Sequence, residues 1–216
     1  MIKAVIFDMD GVLIDSEIVY LDHMYEKLKH KYPDLSRETL FPVVGSTTKM
    51  TMDLLSEIIE EDRDSQEFQE MYFAIWADLR PDYFAILRKE VPELLKELRR
   101  RGYLVALASS TSRAGIEEVL TTCRLKGDFD YIISGEEFKE SKPNPEIYLH
   151  TADALQCSPE ECLVVEDSTY GITAGHRAGM NVVSIIDERF QFDRSLADYT
   201  IHNLIELLEI LKNLEK

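Results

Sequence analysis

The chain has 216 residues and a hydrophobic content of 45%, enough to bury the core of one large domain, or of one domain with a modest insert. With 24 Lys and Arg against 41 Asp and Glu, its formal net charge of −17 disfavours nucleic acid and anionic membrane surfaces as partners. The same charge repels a phosphorylated ligand at long range, so a phosphate site needs a metal ion, a lysine or oriented backbone amides.

Five apolar, strand-forming runs recur along the chain. The first, 4–7, is apolar at every position, which is typical of a strand buried on both faces. The others are 103–108, 131–133, 162–165 and 181–186. Helical patterns follow at 92–101, 112–122, 145–155, 170–178 and 204–214. This alternation predicts an α/β protein whose core is a Rossmann-like, doubly wound parallel sheet.

Residues 16–87 interrupt the alternation. They contain three amphipathic helical patterns, at about 17–31, 48–61 and 64–80. We therefore predict an α-helical cap domain, 16–87, inserted into a catalytic core formed by 1–15 and 88–216. Such a domain would lie above the strand ends, where it would exclude water from a substrate.

Acidic residues follow two of the predicted strands. Asp8 and Asp10 leave the first strand together, and their mutual repulsion calls for a compensating cation, although an isolated D-x-D is more often a simple turn. Glu166 and Asp167 follow the run 162–165 in the same way. Because ligands of such sheets bind outside the carboxyl ends of the strands, both pairs are expected at one edge. Carboxylates without His or thiolate favour Mg²⁺.

Two further strand-end or loop elements suit a phosphate group. Ser109 and Ser110 follow the run 103–108, where a hydroxyl and free amides at a helix start would hold phosphate oxygens or, equally, cap the helix. Lys142 is followed by Pro143, which stiffens the approach to the next helix. An exposed loop lysine is the usual alternative, but three other strand-end elements already call for a cation beside a phosphate.

The complete set resembles the four ordered motifs of the haloacid dehalogenase superfamily, and the match spans the chain. The motifs read Asp8-x-Asp10-Gly11, Ser109, Lys142-Pro143 and Glu166-Asp167-Ser168. The insert is similar to the helical cap of the branch that contains β-phosphoglucomutase and many small-metabolite phosphatases. The resemblance implies a Mg²⁺-dependent phosphatase that hydrolyses a small phosphorylated metabolite, such as a sugar phosphate, through an aspartyl-phosphate intermediate.

The resemblance also implies a role for each residue. Asp8 would attack phosphorus, and Asp10 would act as acid and then as base. Mg²⁺ would be held by Asp8, the Asp10 carbonyl and Asp167, with Glu166 as a ligand or a support. The remaining phosphate oxygens would be held by Ser109, Ser110 and Lys142.

Three other functions share parts of this pattern of residues. A β-phosphoglucomutase-type mutase is the alternative, but Tyr20 and Thr48 stand where the mutases of that branch have a histidine and an arginine, which favours hydrolysis. Thr48 and Lys49 are candidate substrate contacts in the cap, although a solvated helix start is the simpler role for Lys49. A dehalogenase would not need the acidic pairs. A phosphorylatable receiver domain would carry its acidic pair on the first strand and its phosphorylated aspartate after a later one, whereas Glu166 and Asp167 come too late in this chain and the helical insert has no place in a receiver.

The cysteines, the hydropathy and the first residues of the chain indicate the cellular compartment. The three cysteines form no C-x-x-C pair, which indicates neither a disulfide framework nor a zinc site. No apolar run approaches the roughly 20 residues of a membrane span, and the start of the chain lacks a signal-peptide pattern. We therefore expect a cytoplasmic enzyme.

Overall fold

The computed structural model describes residues 1–215, which form two compact units. The first comprises Met1–Asp15 and the chain from Tyr83 onward, and the second is Ser16–Asp82. The first unit thus resumes at Tyr83, whereas the sequence placed this boundary at 88. The reason is local: the Tyr83 carbonyl accepts a hydrogen bond from Cys123 Sγ, and Ile86 packs against the buried core of the first unit.

A six-stranded sheet is the centre of the first unit. In chain order the strands β1 to β6 are Ala4–Phe7, Leu104–Ser109, Tyr131–Ser134, Cys162–Glu166, Asn181–Ile185 and Tyr199–Ile201. All neighbouring pairs are parallel, and the spatial order is β3-β2-β1-β4-β5-β6. The predicted α/β class with a parallel sheet is confirmed. Strand β6 was not predicted, because three residues are too short a run to be recognised.

Helices of the first unit cover both faces of this sheet. Helices α1 to α9 span Glu17–Leu28, Thr48–Ile58, Gln66–Trp76, Tyr83–Ile86, Val91–Arg100, Arg113–Thr122, Glu146–Ala154, Thr169–Arg177 and Leu207–Leu214. Buried residues of α5, α6 and α9 share one apolar cluster with Val5 and Phe7 of β1. Those of α7 and α8 share the other with Ala4 and Ile6. Alternate residues of β1 therefore face opposite layers, as expected for a strand without a solvent-exposed face.

The position of β1 determines where a ligand can bind. Phe7, its last residue, is level with Leu107 of β2 and with Val165 of β4. The chain runs from β1 to β2 on one side and reaches β4 on the other, so the strand order reverses at β1. Ligands of doubly wound sheets bind at this switch point, outside the carboxyl ends of the strands.

The second unit consists of α1, α2, α3 and a short 3₁₀ segment at Glu38–Val43. Helices α2 and α3 begin with side-chain caps that the sequence supplies: Thr47 accepts from the Met50 amide at 3.4 Å, and Ser65 accepts from the Phe68 amide at 3.1 Å. Leu21 is buried, as the apolar stripe of the first helical pattern predicts. Across residues 1–215, no helix combines the length and the apolar character that a membrane span requires.

Candidate active site

Lys142 links two carboxylates that come from separate strands. Its Nζ donates to Asp8 Oδ1 at 2.7 Å, to Glu166 Oε1 at 2.7 Å and to the Ala108 carbonyl at 3.0 Å. Asp8 follows β1, Ala108 belongs to β2 and Glu166 ends β4. Lys142 is only 5% exposed, and the alternative of an exposed loop lysine is therefore wrong. The three neighbouring strands converge on one ammonium group.

Three carboxylates lie close together at the same edge. Ligand oxygens of Asp8, Glu166 and Asp167 all fall within 4.8 Å of one another. Glu166 and Asp167 are buried, and Asp8 is 8% exposed. Hard oxygen donors without sulfur or imidazole are the set that Mg²⁺ and similar cations prefer. The residues present therefore fit a divalent cation.

The electrostatics of these carboxylates also favour a divalent cation at this site. Burial raises the pKa of Asp8 to about 7; the Lys142 ammonium opposes this rise, while the negative charges of Glu166 and Asp10 add to it. Burial by itself lowers the pKa of Lys142, but Asp8 and Glu166 together raise it well above its ordinary value. Lys142 therefore remains charged, and one ammonium faces several carboxylates. The excess negative charge is what a divalent cation would neutralise.

Two glycines make room for two of these carboxylates. A Cβ atom at Gly11 would lie 1.9 Å from Asp167 Oδ2, and a Cβ at Gly171 would lie 1.8 Å from Glu166 Oε1. Gly171 is in the first turn of α8, so the Glu166 carboxylate rests directly on the helix backbone. Gly11 also has a φ of 73°, which favours glycine on its own account.

We expect Gly171→Ala to lower the free energy of unfolding by about 1–3 kcal/mol, because the added methyl displaces a buried carboxylate. In a helix without such a clash, the same change is stabilising by about 1 kcal/mol. Gly127→Ala is the matched control, since no atom lies within 4 Å of a Cβ at that position. Denaturant unfolding of both variants tests this. Equal stability of the two variants would contradict the steric argument.

The turn after β2 holds Asp10. Thr111 Oγ1 donates to Asp10 Oδ2 at 2.6 Å, and the Thr111 amide donates to Ser109 Oγ at 3.1 Å. Ser109 is buried and Ser110 is exposed. Capping of α6 was the alternative role for Ser109 and Ser110. The cap of this helix is Ser112, whose Oγ accepts a hydrogen bond from the Gly115 amide at 3.2 Å. The cap of α6 therefore does not use Ser109 or Ser110.

Thr48 and Lys49 belong to the second unit. Both are exposed, at the start of α2. The loop before them is held by the Gly45 amide, which donates to Glu17 Oε2 at 3.4 Å, and by Ser46 Oγ, which donates to the Val43 carbonyl at 2.6 Å. A role of Thr48 and Lys49 in substrate contact stays a prediction.

Sequence reasoning missed Tyr148 and the contact between Thr111 and Asp10. The Tyr148 hydroxyl donates to Glu166 Oε1 at 2.7 Å. A signal was available, because Tyr148 lies on the apolar face of the predicted helix 145–155, and a buried tyrosine hydroxyl needs a hydrogen-bond partner. Identifying that partner required the packing of α7 on the sheet.

The family model described as haloacid dehalogenase-like hydrolase matches residues 5–185. The chain is similar to a phosphorylated carbohydrates phosphatase of Thermotoga maritima, with 30% identity over 218 residues and 99% of each chain covered. It is also similar to the pyrophosphatase PpaX of Bacillus cereus, with 27% identity over 222 residues, covering 100% of this chain and 99% of the relative.

A solved structure shares the fold. It is a β-phosphoglucomutase from Clostridium difficile, with a TM-score of 0.76 and 24% identity, covering 99% of this chain and 96% of the other. At this level of identity, the similarity shows that the two proteins share a fold, and it does not show that they catalyse the same reaction.

Proposed function

The chain belongs to the haloacid dehalogenase-like hydrolase family, and on that premise we propose that it is a Mg²⁺-dependent phosphatase of a small phosphorylated metabolite. The observation that carries the proposal is the contact between Asp8 and Lys142 beside the buried acidic pair Glu166 and Asp167. A carboxylate nucleophile, a fixed cation and a cation-binding carboxylate set are what phosphoryl transfer to an aspartate requires.

Asp8 is the proposed nucleophile and Asp10 the proposed acid and base. Asp8 Oδ1 is occupied by Lys142, which fixes the orientation of the carboxylate and leaves Oδ2 to attack phosphorus. Asp10 Oδ2 accepts a hydrogen bond from Thr111, which orients the carboxyl group that would protonate the leaving oxygen and later accept a proton from water. The aspartyl-phosphate formed on Asp8 is then hydrolysed.

Lys142, Ser109 and Ser110 would stabilise the negative charge that develops on the phosphoryl oxygens. Lys142 is already desolvated and held by three acceptors, so it needs little reorganisation when phosphate binds. The carboxylates of Asp8 and Asp167, with the Asp10 carbonyl, would hold Mg²⁺. When bound, the ion would neutralise charge on the transferred group.

Mg²⁺ should raise the melting temperature by more at about pH 8 than at about pH 5. The pKa of Asp8 rises from 3.8 to about 7 in the folded, metal-free protein. The protonated Asp8 side chain therefore contributes fully to the free energy of unfolding below pH 3.8, and this contribution disappears as the pH rises through 7. Mg²⁺ meets an ionised carboxylate at pH 8 but must displace a proton at pH 5.

Calorimetric scans test this. Mg²⁺ at about 100 times its Kd should raise the melting temperature by about 5–10 °C at pH 8, and by less than half as much at pH 5. Sodium chloride at equal ionic strength is the control. Equal shifts at both pH values would contradict the coupling of Asp8 to the cation.

A substrate with one phosphate and an uncharged body suits the charge of this chain. The helical unit, 16–82, carries Asp and Glu over Lys and Arg in a ratio of about two to one. Such a unit disfavours pyrophosphate and bisphosphates, which bring additional negative charge. We therefore favour a sugar monophosphate, in keeping with the relative named as a phosphorylated carbohydrates phosphatase. The helical unit is the proposed substrate-selecting part.

The proposal is tested by phosphate release with Mg²⁺ from sugar monophosphates, phosphoglycolate, nucleotide monophosphates and pyrophosphate. We expect a sugar monophosphate to have the highest kcat/KM. Absence of release from every compound would refute the phosphatase. Conversion of glucose 1-phosphate to glucose 6-phosphate with a bisphosphate primer, without loss of phosphate, would establish the mutase instead.

A further inference from the structure

Tyr148 is a buried tyrosine in contact with both partners of the central ion pair. It lies on α7 and its side chain is completely buried. Its hydroxyl donates to Glu166 Oε1 at 2.7 Å, and its ring centroid is 4.9 Å from Lys142 Nζ. A ring face at this distance attracts a cation. One side chain thus restrains a carboxylate through its hydroxyl and an ammonium through its ring.

Both oxygens of Glu166 are already supplied with protein donors. Oε1 accepts from Lys142 and Tyr148, each at 2.7 Å. Oε2 accepts from the Asp167 amide at 3.1 Å and from Ser168 Oγ at 3.3 Å. An ionised carboxylate offers about four acceptor positions. Glu166 therefore has its acceptor capacity filled by the chain itself, which suits a supporting group better than a direct metal ligand.

The position of Lys142 depends on this support. An ammonium has three donors, and those of Lys142 go to Asp8, Glu166 and the Ala108 carbonyl. When a phosphoryl group reaches Asp8, the donor directed at Asp8 is the one that can turn to a phosphate oxygen. The contacts to Glu166 and Ala108 then hold the ammonium in place. Tyr148 fixes the oxygen that makes the first of these contacts.

We infer that Tyr148 is a positioning residue of the phosphate site. Its hydroxyl fixes Glu166 Oε1 and its ring restrains the ammonium, so that Lys142 remains directed at the transferred phosphoryl group. The inference rests on the proposed function. Because it concerns alignment of a charge in the transition state, it predicts an effect on kcat and little effect on KM.

The test is Tyr148→Phe, which keeps the ring and removes the hydroxyl. With p-nitrophenyl phosphate and Mg²⁺, kcat should fall about tenfold, the equivalent of one hydrogen bond to a charged group, while KM changes less than threefold. Tyr148→Leu, which also removes the ring, should lower kcat further. Tyr131→Phe is the matched control, because its hydroxyl contacts only His150 among the described hydrogen bonds of that side chain, and it should keep full kcat.

A double variant separates positioning from packing. In the Lys142→Met background, Tyr148→Phe should change kcat less than twofold, because the group that Tyr148 positions is gone. A further tenfold loss in that background would overturn the inference, as would full kcat in Tyr148→Phe alone. An inactive wild type would refute the proposed function. Orthovanadate binding, measured by calorimetry, then tests Tyr148 separately: about tenfold weaker binding to Tyr148→Phe supports the inference, and unchanged binding overturns it.

Discussion

Replacing Asp8 with Asn should abolish Mg²⁺-dependent phosphate release, with a loss in kcat of at least about 10⁴-fold. An amide neither attacks phosphorus nor carries the charge that a bound cation requires. The variant should nevertheless fold. The pKa of Asp8 is raised to about 7 by burial and by its acidic neighbours, so an uncharged side chain at this position relieves repulsion in the metal-free protein.

Release from a generic aryl phosphate measures the effect, with thermal unfolding at about pH 8 as the check on folding. Asp153→Asn is the matched control, because Asp153 is an exposed residue of α7, and that variant should keep the activity of the wild type. If Asp8→Asn retained more than about 1% of the activity, the nucleophile would have to be another group.

Replacing Lys142 with Met should impair both catalysis and stability. The change leaves Asp8 and Glu166 without the buried cation that each contacts at 2.7 Å. Removing one partner of a buried ion pair costs about 3–5 kcal/mol of folding free energy. Loss of a preorganised donor to the phosphoryl oxygens should also reduce kcat by about 10³-fold. No other change proposed for this chain combines effects of that size on both properties.

Denaturant unfolding and steady-state kinetics separate these effects. Lys139→Met, in the same loop but exposed, should alter neither quantity. Mg²⁺ should restore part of the stability of Lys142→Met, because the cation neutralises the same carboxylates, but it should not restore kcat. Unfolding at the wild-type denaturant midpoint, together with kcat within tenfold of the wild type, would show that Lys142 is dispensable.

The sequence was sufficient to predict five of the six strands and the residues at the carboxyl edge of the sheet. Parallel strands buried on both faces leave continuous apolar runs such as 4–7, and polar residues directly after them must reach the strand ends. Asp8, Ser109 and Asp167 could be placed on that basis. The family assignment from the ordered motifs is confirmed.

Other features depend on packing that a linear pattern does not contain. Whether Tyr148 reaches Glu166 depends on the rotation of α7 against the sheet, and the need for Gly171 depends on where a carboxylate five residues earlier comes to rest. The boundary at Tyr83 depends on a hydrogen bond that its carbonyl accepts from the thiol of Cys123, the residue after α6. The proposed role of the helical unit in substrate choice would depend on loop geometry, which helix periodicity does not specify.

The central position of β1 has a consequence for biosynthesis. Asp8 is synthesised 134 residues before its partner Lys142, and β4, which borders β1, follows later still. A nascent chain that ends before Cys162 therefore carries Asp8 at the end of a strand with one unpaired side, open to misassociation. Activity should appear only when synthesis has passed β4, which makes phosphate release a reporter of completed assembly as well as of chemistry.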